Sequence, residues 1–123
     1  MGFPDSLLYD KKYCWVKIED NIAKIGLTDK AAESVKEFVF IEMPEKGKKV
    51  SKGEDLFSVE AVKWSGHIEA PISGEVIETN DEVYDDPSLI NKEPYKYWIV
   101  KLKVDNLKEK EGLLNAEQRK NLE

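Results

Sequence analysis

The stretch Val59-Glu-Ala-Val-Lys-Trp-Ser-Gly-His-Ile-Glu-Ala-Pro71 decides the fold. Two alternating apolar segments flank one lysine, and Trp64, Ser65 and Gly66 follow it at once. That pattern predicts a β-hairpin with Lys63 at its crest. A lysine there is either a solvated charge or an attachment point held out by the two strands.

Working outward, "WVKIE" (15–19) and "NIAKIG" (21–26) alternate around an Asp-Asn turn and predict a second hairpin. At Thr28 the period changes: Thr28 can cap, and Ala31, Ala32 and Val35 lie at helical spacing. This predicts a short helix over about 29–36. "EFVFIEMP" (37–44) is apolar on both faces in its middle and predicts a strand buried between layers. "DLFSVEAV", "GHIEAP", "ISGEVIETN" and "YWIVKLKVD" complete about seven short strands. Gly53 and Gly74, ten residues before and eleven after Lys63, mark strand entries, as two intertwined β-halves would. Residues 81–97 carry three turn signals, at Asp85-Asp86-Pro87, Asn91 and Pro94, and read mostly as loop. "NLKEKE" reads as a charged, solvated loop or helix start. Asn115 can cap a C-terminal helix carrying Ala116, Arg119 and Leu122, and Trp15 and Trp98 are expected in the core.

Composition narrows the functional classes. The chain has 123 residues, suiting one domain over 1–123, with 41% hydrophobic and 36% charged residues. A net charge of −6 argues against binding nucleic acid or an anionic membrane by charge. With Cys14 the single cysteine, no internal disulfide can form. No secretory leader or membrane-length apolar run is visible, so a cytoplasmic location and a monomer are expected. No catalytic motif with usable spacing is evident, and His67, the single histidine, has no second His or Cys at metal-ligand spacing. The expectation is a non-enzyme without a metal.

The order of these pieces resembles the biotinyl/lipoyl-carrier fold, a mainly β barrel-sandwich hybrid with a short internal helix and a C-terminal helix. More closely, it resembles the H-protein family of the glycine cleavage system. The likeness is carried by Trp15-Val16-Lys17, "AKIGLTDKAAES" (23–34), "VFIEMPEKGKKVSKGE" (39–54), "VEAVK" (59–63), "APISGEVIETN" (70–80), "PSLINKEPY" (87–95) and "GLLNAEQ" (112–118). Against the family's usual Glu-Ser-Val-Lys-Ala, Ala61 replaces Ser and Trp64 replaces Ala.

The resemblance implies lipoate in amide linkage on Lys63, with Glu60 as the acidic residue that lipoylating enzymes read. It implies a carrier of the aminomethyl group from glycine decarboxylation. Its partners would be a lipoylating enzyme, glycine decarboxylase, an aminomethyltransferase and dihydrolipoyl dehydrogenase. One departure bears on cargo. Where the family reads Ser-His-Glu-Trp this chain has Lys12-Tyr13-Cys14-Trp15, and an Asp four residues after the lysine is His67. Both expected carboxylates are replaced, and Lys12 would repel a cationic amine. This leaves open an H-like lipoate carrier of another pathway, such as sulfur oxidation beside heterodisulfide-reductase-like enzymes. An unmodified structural or regulatory relative is a further alternative. A biotin carrier is disfavoured, since no Met adjoins the lysine.

The neighbours of Lys63 have alternative readings. Cys14 is either a small buried strand residue or a thiol that exchanges with the dithiolane. His67 is either a surface histidine or one that faces the arm. Trp64 either packs on its own hairpin, covers the stem of the arm, or anchors a partner.

Overall fold

The computed structural model describes residues 2–122. Among the described residues nine strands form: β1 (Leu8–Tyr9), β2 (Cys14–Glu19), β3 (Ile22–Leu27), β4 (Phe38–Glu42), β5 (Lys49–Val50), β6 (Asp55–Ala61), β7 (Ser65–Glu69), β8 (Gly74–Thr79) and β9 (Val100–Val104). They pair antiparallel into a six-stranded sheet ordered β1-β2-β3-β9-β8-β5 and a three-stranded sheet ordered β4-β6-β7. The period-2 alternation decides which face is buried. Ala23, Ile25 and Leu27 of β3 and Val100, Leu102 and Val104 of β9 point into the core, while Lys101 and Lys103 of β9 do not. One buried cluster joins these residues to Ile41, Phe57, Val59 and Ile68 of the smaller sheet, so the two sheets share a core.

The expected hairpins appear with β2–β3 and β6–β7 in the predicted places. The expected internal helix is α1 (Asp29–Val35), and Thr28 Oγ1 caps it by accepting from Ala31 N at 3.1 Å. Two further strands, β1 and β5, had escaped the sequence pattern because two-residue segments carry no period.

Three expectations change. β4 is not buried on both faces: Phe38 and Ile41 are buried, but Val39 and Phe40 are 54% and 44% exposed. A register shift against β6 between Phe38 and Phe40 breaks the alternation. The Phe40 ring instead meets Tyr84, centroids 6.1 Å apart. Residues 81–97 are not mostly loop. They hold α2 (Asp81–Asp85), capped by Asn80, and α3 (Ser88–Lys92), pinned by fully buried Val83 and Ile90. Trp98 is only partly buried, at the edge of a second cluster formed by Leu7, Tyr9, Trp15 and Ala116. Trp15 is buried as expected and its Nε1 donates to Pro94 O at 3.0 Å.

The chain ends in a 3-10 helix (Leu107–Gly112) and α4 (Ala116–Lys120), whose N-terminus is closed by a capping box between Asn115 and Gln118. Arg119 of α4 is buried, and its Nη2 donates to Lys12 O at 3.0 Å. The C-terminus thereby fixes the segment before β2.

Gly74 begins β8 as its sequence position suggested, for a steric reason. A Cβ there would lie 2.4 Å from the Lys103 carbonyl oxygen on the paired strand. Gly74→Ala is therefore expected to cost about 1–3 kcal/mol, seen in urea unfolding as a lower midpoint with an unchanged slope. An unchanged midpoint would remove the close approach as the reason for glycine.

Candidate functional site

Lys63 lies where the sequence placed it, in the tight connection between β6 and β7. Ala61 N donates to Trp64 O at 2.8 Å and closes the loop around Val62 and Lys63. The two crest residues are held from outside their own hairpin. Val62 N donates to Glu37 O at 2.9 Å, and Lys63 N to Val35 O at 3.1 Å. Val35 ends α1, so its carbonyl is one of those a helix leaves without an internal donor. The crest supplies that donor. The backbone of Lys63 is thus tied down while its side chain is exposed, and among the described residues no carboxylate pairs with it.

The neighbours fall on different sides of the crest. Glu60 is exposed on the outer face of the small sheet, opposite Phe40 on β4 and Ser65 on β7. Trp64 turns inward. Its ring lies 5.7 Å from that of Tyr13 and covers an apolar recess lined by Leu27, Ala31, Val35, Phe38, Val59 and Ile68. It also lies against Gly66, where a Cβ would fall 2.7 Å from the indole. Of the readings for Trp64, packing on the hairpin's own base is the one this geometry matches.

A groove of about 420 Å³ runs beside the crest, between the Asp10–Tyr13 segment and β7. Trp64 and Tyr13 form its apolar part, and Lys12, His67 and Glu69 its polar rim. His67 is exposed and its Nδ1 is 3.7 Å from Asp55 Oδ2, so it sits at the rim, shared with a larger groove of about 820 Å³ along residues 42–48.

Cys14 and His67 do stand where the two carboxylates were expected, but other acids border the groove. Lys12 Nζ pairs with Glu69 Oε1 at 3.0 Å, and Asp10 lines the same groove. The hydrogen bond and charge of Glu69 raise the Lys12 pKa, keeping it cationic. The ammonium expected to repel a cationic amine is offset locally by an acid that no short motif had flagged.

Cys14 does not line the groove. It is 1% exposed, and burial together with neighbouring Asp10 raises its thiol pKa well above the usual range. A neutral, buried thiol is a poor nucleophile, so the thiol-exchange expectation finds no geometry here. The buried-strand reading of Cys14 is the one observed. Asp10 matters instead: its carboxylate accepts from Lys12 N at 2.9 Å and from Cys14 N at 3.0 Å, fixing the turn that forms the groove wall. Asn91, read as a turn residue, is another position whose part the sequence did not reveal. Its amide accepts from Phe38 N at 3.0 Å and donates to Lys36 O at 2.8 Å, more than fifty residues away in the chain. Among the described residues no group of three or more His, Cys, Asp or Glu side chains is placed to hold a metal, and no helix is long and apolar enough to cross a membrane.

Burial raises the Asp10 pKa above 3.8, against the opposing effect of its backbone donors. The folded state then holds this proton more tightly than the unfolded chain. Its contribution to stability is fullest below pH 3.8 and is lost as pH rises through the raised folded value. Asp10→Asn keeps an acceptor for both N–H groups and removes the ionisation. The variant is expected to be at least as stable as wild type at pH 7, and to lose part of the relative gain wild type shows on acidification toward pH 4. Parallel thermal-melt profiles across that range would sink this account.

Comparison with known proteins agrees with the geometry. Residues 7–123 match the sequence model of the family described as glycine cleavage H-protein. A probable glycine cleavage system H protein of Aeropyrum pernix is 44% identical over 113 residues, covering 91% of this chain and 79% of its own length. The glycine cleavage system H protein of Staphylococcus epidermidis is 40% identical over 119 residues, covering 96% and 94%. A crystal structure of a glycine cleavage system H protein from Mycobacterium marinum superposes with a TM-score of 0.85 at 29% identity, covering 97% of each chain. A barrel-sandwich of this topology, matched over nearly its full length in both sequence and structure, places the chain in the glycine cleavage H-protein family.

Proposed function

We propose that this chain is a lipoyl carrier, with lipoate joined in amide linkage to Lys63 Nζ. One observation carries the reading: the Lys63 backbone is anchored to Val35, while its side chain is exposed and unpaired among the described residues. An acylating enzyme needs an amine it can surround at a fixed position, and this crest offers one. Acylation forms the Nζ–C bond, expels the leaving group of an activated lipoate and releases a proton, so the lysine charge is lost. When bound, lipoate supplies a dithiolane that cycles between disulfide and dithiol and takes up a carried group.

The chain's residues then have separable roles. Glu60, exposed three residues before Lys63 near the end of β6, is the contact a lipoylating enzyme reads. Trp64 and Tyr13 brace the base of the crest and form the apolar wall of the groove beside it. Asp10 on one wall and Glu69 on the other supply carboxylates to the groove, with Lys12 compensating part of that charge. His67, at the rim, is placed to meet a cargo or partner entering the groove.

The cargo is taken to be the aminomethyl group derived from glycine. The partners are then glycine decarboxylase, an aminomethyltransferase, dihydrolipoyl dehydrogenase and the lipoylating enzyme. The relatives named above support this over a sulfur-oxidation carrier, which no observation favours. We take the protein to act in the cytoplasm, as a monomer and as one unit over residues 1–123. It catalyses no reaction alone; it raises the local concentration of a reactive group at successive enzymes.

Incubation with a lipoate ligase, lipoate and ATP is expected to add one lipoyl mass, mapped to Lys63 by peptide fragmentation. Lys63→Arg is expected to add none. A wild-type chain that gains no mass, or gains it elsewhere, would overturn the carrier reading. Glycine–bicarbonate exchange with the lipoylated protein and glycine decarboxylase then tests the cargo, and lipoylated protein without exchange would move it to another pathway.

A further inference from the structure

The crest is closed by its own hairpin but oriented from outside it. Val62 N and Lys63 N donate to Glu37 O and Val35 O, so the placement of Lys63 depends on residues 35–37. That segment carries an uncommon backbone. Lys36 has φ 64° and ψ −149°, a region where a Cβ is crowded and glycine is the usual occupant. A non-glycine residue stays in such a conformation only where its surroundings enforce it.

A side chain placed to enforce it is that of Asn91, near the end of α3. Its Nδ2 donates to Lys36 O at 2.8 Å while its Oδ1 accepts from Phe38 N at 3.0 Å. One side-chain amide thus grips the strained residue on one side and the first residue of β4 on the other. The two carbonyls that receive the crest lie on either side of Lys36 itself. Asn91 is half-buried on a helix that fully buried Ile90 pins to the core, so the clamp is referenced to the rigid part of the molecule. Aspartate at this position would keep the acceptor and set a carboxylate against the Lys36 carbonyl. Only an amide offers both a donor and an acceptor in one plane at this reach.

We infer that Asn91 is a positioning residue for Lys63: through Lys36 and the carbonyls of Val35 and Glu37, it sets the pose in which the crest lysine is presented for acylation. The inference deepens the carrier reading and rests on it for its consequence, but the clamp is testable without any modification. The strain at Lys36 gives it a distinctive signature, because relieving the strain should make the clamp dispensable.

Amide hydrogen exchange of the unmodified protein, followed by NMR, reads the clamp directly. In Asn91→Ala, and likewise in Asn91→Asp, exchange at Val62 and Lys63 is expected to accelerate about tenfold or more, while the central-strand amides of Val100 and Leu102 keep their protection. The rate of lipoyl transfer to Lys63 by a lipoate ligase is expected to fall about tenfold in kcat/KM. Lys36→Gly in the Asn91→Ala background is expected to restore both, since glycine adopts the required conformation unaided. Unchanged exchange at Val62 and Lys63 in Asn91→Ala would overturn the inference. So would a general loss of protection that Lys36→Gly does not rescue, which marks Asn91 as merely structural. A wild-type chain that takes no lipoyl group ends the carrier reading instead, and leaves the exchange data to decide the clamp.

Discussion

Two backbone hydrogen bonds, from Val62 N and Lys63 N to the carbonyls of Glu37 and Val35, join the tip of the lysine hairpin to the end of α1 and the residues that follow it. A two-stranded hairpin is marginal alone in water. Here it is the middle and edge of a three-stranded sheet, its base filled by Trp64 against the shared core, and its tip tied to the end of α1. The last step also completes α1, whose final carbonyl would otherwise lack a donor. The same bonds therefore end a helix and hold a turn. The extended cap of α1 at Thr28, the buried face of Ala31, Ala32 and Val35, and the amide of Asn91 all converge on the 35–37 segment that receives the crest.

The groove beside the crest shows how a motif comparison and a three-dimensional arrangement can give different electrostatics. Matching positions suggested that a carboxylate-lined surface had been exchanged for lysine, cysteine and histidine. In the fold, Lys12 is paired to Glu69 across the groove, Asp10 lies behind it, and Cys14 is turned into the core. The charge of a site is set by every element that borders it, and here β7 contributes an acid that lies outside the matching segment. The far wall is held by Arg119, more than one hundred residues away, through its bond to the Lys12 carbonyl.

The fold was legible where burial and period agree. Ile25, Leu102 and their alternating neighbours define strands because one face of each is dry. Thr28 starts a helix because its hydroxyl reaches Ala31 N, a purely local event. Legibility failed where a tertiary contact overrides the local signal. Val39 and Phe40 look like core, but a register shift turns both outward. Asp85-Asp86-Pro87 looks like a loop, yet the buried side chains of Val83 and Ile90 hold a short helix on either side of it.

The amino-acid sequence by itself determined the two hairpins, the internal and terminal helices, and the presence of Lys63 at a turn between two strands. Each rests on near neighbours, so spacing alone encodes it. Tertiary structure alone decided how Lys63 is held, what charge faces it, and whether Cys14 can react. Those properties depend on pairs such as Asn91 with Phe38, Arg119 with Lys12 and Lys12 with Glu69. The members of each pair are distant in the chain and carry no periodic signature. Only the closing of two sheets around one core brings them within hydrogen-bonding reach.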